Sequence, residues 1–93
     1  MLIKRYLDAL EEACGNMSGC WFFGVVTPET VRTERRIDRL TKRLVDAGAS
    51  LYAITKFKEC ASYFGAEDGN VSYEWNESGM AMFREMILEE TQV

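Results

Sequence analysis

The chain has 93 residues, a formal net charge of −4, 47% hydrophobic and 12% aromatic residues, and a mean hydropathy of −0.19. That is apolar material for one core and too little chain for two, so residues 1–93 are read as a single domain, and a disordered polyelectrolyte is excluded. Histidine is absent and Cys14, Cys20 and Cys60 form no C-x-x-C pair, which excludes the usual zinc ligand sets and any Ser-His or Cys-His nucleophile pair.

Along the chain, Ile3, Leu7, Leu10 and Cys14 recur at helical spacing, and Gly15-Asn16 supplies a stop, so residues 2–14 are expected to form a helix. Asp8, Glu11 and Glu12 interrupt this stretch where an export signal would be apolar. Residues 21–26 (WFFGVV) form an apolar run that suits an inner strand. In "VVTPET", Thr27 can cap a helix, Pro28 sits in its first turn and Glu29 favours the positive end of the dipole. A helix from about residue 28 to 47, stopped by Gly48, is expected.

Residues 51–58 fit two periods. Leu51, Ala53, Thr55 and Phe57 alternate as in a strand, while Leu51, Ile54, Phe57, Ala61 and Phe64 would line a helix. The β-forming Tyr52, Ile54, Thr55 and Phe57 favour the strand. Asp68-Gly69 between two β-rich runs signals a hairpin, pairing residues 62–67 with 70–75. A last helix over about residues 78–90 buries Met80, Phe83, Met86 and Ile87, with Asn76 or Ser78 as cap. Met82 lies off that stripe and hints at a second apolar surface.

The expected fold is therefore α+β, in the order α-β-α-β-β-α. It is a truncated ferredoxin-like arrangement, a three-stranded sheet with helices packed on it.

Chemistry-bearing motifs are few. Glu67-Asp68 reads as a turn, and "CGNMSGCW" runs from helix to strand, the reverse of a phosphate cradle. Trp21, Phe22, Phe23, Tyr73 and Trp75 could stack bases on a sheet, but the charges around the last two are acidic, so core packing is the better reading. No catalytic residue, metal or cofactor is expected.

The informative stretch is "VRTERRIDRLTKR", residues 31–43. On a helix its Arg32, Arg35, Arg36, Arg39, Lys42 and Arg43 fall within an arc of roughly 120°, opposite Ile37, Leu40 and Leu44. Segment charges are −1 for residues 1–27, +2 for 28–48 and −5 for 49–93. Such a run can be a solvated face supported by pairs such as Asp38–Lys42 and Arg39–Asp46. Five of the six cations are arginine, however, whose planar fork suits carboxylates and phosphates at interfaces.

The leading expectation is a small, cytoplasmic, non-catalytic adaptor or inhibitor. It would bind another protein or a protein–nucleic-acid complex through this face. Its acidic half (Glu67, Asp68, Glu74, Glu77, Glu85 and Glu89) would form a second contact surface, occupying a basic groove in the manner of a virus-type inhibitor of a nucleic-acid enzyme. Self-association through the two faces is a specific version. The alternatives are direct nucleic-acid binding by the same arginines, which the acidic remainder opposes, and a small-molecule or enzymatic site built on carboxylates or a cysteine. No membrane partner is expected, since no apolar run approaches the roughly 18–20 residues of a span.

Overall fold

A computed structural model describes residues 2–62, 65–67, 70–72 and 76–92, with side chains at all of these except 19, 21–23, 65–67 and 70–72. Four helices dominate: α1 (Leu2–Phe23), α2 (Pro28–Asp46), α3 (Leu51–Ala61) and α4 (Glu77–Glu90). Helix α2 packs chiefly on α1 and α4 chiefly on α3, and α1 against α3 joins the two helical hairpins. The core is continuous across them, with Leu7, Leu10, Cys14 and Met17 from α1 and Ile37, Leu40 and Leu44 from α2. Ala53, Ile54, Phe57 and Ala61 come from α3, and Met80, Phe83 and Ile87 from α4.

The α+β, ferredoxin-like expectation is overturned. Among the described residues the only β structure is one short antiparallel hairpin, β1 (Gly65–Glu67) with β2 (Asn70–Ser72), Glu67 facing Asn70. Among the described residues the sheet has two strands, not three.

Two segments account for the difference. The first helix does not stop at Gly15-Asn16, because Leu7, Leu10, Cys14 and Met17 continue one buried stripe. Burying Cys14 and Met17 outweighs the roughly 1 kcal/mol that glycine costs in a helix interior. Ser18 donates from its hydroxyl to the Cys14 carbonyl at 3.0 Å, keeping the turn closed. The true stop is Gly24, at φ +66, where the Val25 amide reaches back to the Cys20 carbonyl at 3.1 Å. Residues 21–23 therefore extend a helix instead of opening a strand, and "CGNMSGC" lies inside it.

The second segment, residues 51–58, is helix α3. Alternation would put Leu51 on the same face as Ala53 and Phe57, yet Leu51 is 62% exposed while Ala53, Ile54 and Phe57 are fully buried. The 3.6-residue period wins over β-propensity, which is a weak prior against packing. Ser50 starts the helix, its hydroxyl accepting from the Ala53 amide at 3.2 Å.

Helices α2 and α4 follow their sequence signals. Thr27 and Thr30 form a reciprocal capping box with Pro28 in the first turn. Gly48, at φ +114, ends α2 with the Ala49 amide bonded to the Leu44 carbonyl at 3.0 Å. Asn76, not Ser78, caps α4, accepting from the Gly79 amide at 3.0 Å. The described helices include none long and apolar enough to cross a membrane. The side chains of Trp21, Phe22 and Phe23, and all of Tyr73 and Trp75, lie outside the described residues.

Candidate functional site

Helix α2 is held by Ile37, Leu40 and Leu44, which turn its opposite side to solvent. Arg32, Arg35, Arg36, Arg39, Lys42 and Arg43 are all exposed there. They form two rows. Arg32, Arg36, Arg39 and Arg43, spaced four, three and four residues apart, share an arc of roughly 60° over about 16 Å of axis. Arg35 and Lys42 stand on the flank nearer Asp38.

Among the described residues, no carboxylate oxygen comes within 4.0 Å of these six charged groups; the three ion pairs found involve Lys56 and Arg84. The Asp38–Lys42 and Arg39–Asp46 pairs expected of a merely solvated face are not formed. Arg43 is engaged differently. Its Nη1 donates to the Tyr6 hydroxyl at 3.1 Å, and its guanidinium lies 5.4 Å from the Tyr6 ring centroid.

The long row borders an open groove of about 560 Å³ between α1 and α2. Asn16, Met17 and Cys20 form the α1 wall; Thr30, Thr33, Arg32, Arg36 and Arg39 stand on the other side with Glu29, its one carboxylate among the described residues. The α2 N-terminus adds positive potential at this end of the groove, partly offset by Glu29. Three guanidiniums facing one groove with a single carboxylate can take a carboxylate-rich or phosphate-rich surface.

Comparison of the chain with family models, with curated proteins and with solved structures found no match. Its role has to come from the chemistry of its own surface.

The acidic candidates divide. Glu77, Glu85 and Glu89 are exposed on α4. Glu67 has its backbone in β1, and its side chain, with Asp68 and Glu74, lies outside the described residues. Glu90 takes a structural role: its carboxylate accepts from the Ser50 amide at 3.0 Å and the Ser50 hydroxyl at 3.1 Å. Thus the negative end of α4 is held at the positive end of α3. Arg84 is likewise committed, to Asp8 at 2.8 Å and Glu11 at 2.6 Å, with its guanidinium 5.5 Å from the Phe57 ring centroid.

Cys14 and Cys60 offer little reactivity. Cys14 is fully buried, and burial pushes its thiol up to about 11, against the opposing pull of Lys58 and a hydrogen bond with Ser62. Cys60 is also raised, by burial first and the Glu59 charge second. A nucleophilic thiol needs the opposite shift. Cys14 and Cys20, which a short loop could have brought together, instead stand six residues apart on one helix and point about 120° apart. All three thiols are free. Among the described residues no group of three or more Cys, Asp or Glu is placed to hold a metal ion.

The cations of the site were visible in the sequence, while the groove wall was not. Asn16, Met17 and Cys20 join the site only because α1 runs past Gly15, and the signal for that was the continued spacing Leu7, Leu10, Cys14, Met17.

Proposed function

We propose that this protein is a non-catalytic interaction module, an adaptor or inhibitor, that docks an acidic partner protein along the arginine row of α2 and the groove beside it. The carrying observation is that Arg32, Arg36 and Arg39 are exposed and aligned with no carboxylate in reach among the described residues. Exposed helices that only need solubility place opposite charges three or four residues apart on the same face. Here Glu29 and Asp46 stand only at the two ends of the row, three residues from Arg32 and Arg43, and no acid lies on that arc between them, on a helix capped at both ends and anchored in the core. A protein partner also suits the net charge of −4 better than a polyanion does, because a protein can pair an acidic patch with the row and cations with the acidic rest of the chain, whereas nucleic acid is anionic throughout.

The test is affinity capture from cell extract after nuclease treatment, with wild type and the R32E/R35E/R36E/R39E variant. An acidic protein retained by wild type and lost by the variant supports the reading. Recovery of nuclease-sensitive material alone would transfer the row to nucleic-acid binding.

A further inference from the structure

We infer that the arginine row of α2 also receives the glutamate-bearing face of α4 from a second copy of this chain. This rests on the row being a protein-docking surface and names one occupant for it.

Helix α4 carries a row with the same repeat. Ser78, Met82, Glu85 and Glu89 are spaced four, three and four residues apart, share an arc of roughly 60°, and run about 16 Å. All four are exposed, Met82 by 55%. The two rows thus match in spacing and length and oppose each other in charge. Charges already engaged within the fold are not part of the match: Glu90 is held at Ser50, Arg84 at Asp8 and Glu11, and Arg43 at Tyr6. Within the two rows, the cations left over are at positions 32, 36 and 39, and the anions left over are at 85 and 89.

Within one copy, α2 packs chiefly on α1 and α4 chiefly on α3, and no ion pair joins α2 to α4 among the described residues. A partner for either row therefore comes from another molecule. Antiparallel alignment sets Arg32 against Glu89 and Arg36 against Glu85. Met82 then falls at Arg39, over the groove walled by Met17 and Cys20. Ser78 meets Arg43, whose charge Tyr6 already engages. The antiparallel sense also opposes the two helix dipoles. The contact is made twice in a two-fold dimer, or repeats head to tail along a chain. Its ion pairs are exposed and individually weak, so the association is salt-sensitive.

Sedimentation velocity on the full chain at about 0.5 mM protein tests this, in roughly 0.05 M and 0.5 M sodium chloride. Wild type should exceed the monomer mass at low salt and return to it at high salt. R32E/R36E/R39E and E85K/E89K should each be monomeric alone, and their equimolar mixture should regain the larger species. If circular dichroism shows that either multiple variant is unfolded, the single exchanges R36E and E85K replace them. Wild type monomeric at both salt concentrations would overturn the inference, as would a mixture that stays monomeric. A monomeric wild type that still captures an acidic protein through the arginines overturns self-pairing alone and leaves the docking function standing.

Discussion

At the scale of single residues, two glycines with similar roles differ in what surrounds them. Gly24 ends α1 at φ +66 with open space where a Cβ would stand, whereas a Cβ at Gly48, at φ +114, would lie 2.9 Å from the Glu90 carbonyl oxygen. Gly24→Ala should cost about 1 kcal/mol, the left-handed backbone penalty alone. Gly48→Ala should cost about 2–4 kcal/mol, because the end of α4 must also shift. Urea unfolding of the two variants checks the order; equal losses would mean that the α2–α3 turn does not press on α4.

Cys14 makes a pH prediction. Its folded value is raised from 9.0 to about 11, so the folded chain holds the thiol proton more tightly than the unfolded chain does. The resulting stability is fully present below pH 9.0 and is lost as pH rises through about 11, on the order of 2 kcal/mol in all. Because other groups titrate there, the readout is the difference from Cys14→Ala, whose stability should fall less steeply over that window.

At the scale of elements, the tie between α3 and α4 centres on Ser50. Its hydroxyl accepts from the Ala53 amide and donates to Glu90, while its amide donates to the same carboxylate. Ser50→Ala should cost about 1–2 kcal/mol in urea unfolding, as cap losses do. Glu90→Gln should cost less, since an amide oxygen can still accept. The helix boundaries that the sequence makes legible are those with local chemistry: Thr27 and Pro28, Gly48, and Asn76. Those it hides depend on packing. Gly15-Asn16 looks like a stop unless Met17 is known to be buried. Tyr52, Ile54, Thr55 and Phe57 look like a strand unless Phe57 and Ile54 are seen to face one core. The cationic row is legible because helical spacing alone gathers it, while its groove needs α1 at full length.

At the scale of the whole molecule, the chain is flat, 45 × 30 × 19 Å, with basic α2 packed chiefly on α1 and acidic α4 chiefly on α3. Arg84 ties α4 across Phe57 to α1 and joins the two hairpins by charge as well as by core packing. Arg84 thus has structural partners, while Arg32, Arg36 and Arg39, like the exposed Lys4 and Arg5 of α1, have no carboxylate within ion-pair reach among the described residues. A binding face separates from a structural one by what its loss affects. The most direct measurement takes R32E/R35E/R36E/R39E and determines urea stability and nuclease-treated partner capture on the same preparation. Stability should stay within about 0.5 kcal/mol of wild type, as for exposed substitutions, together with loss of the acidic protein that wild type retains. A variant that captures the same protein as wild type, or one that loses several kcal/mol of stability, would contradict the docking function.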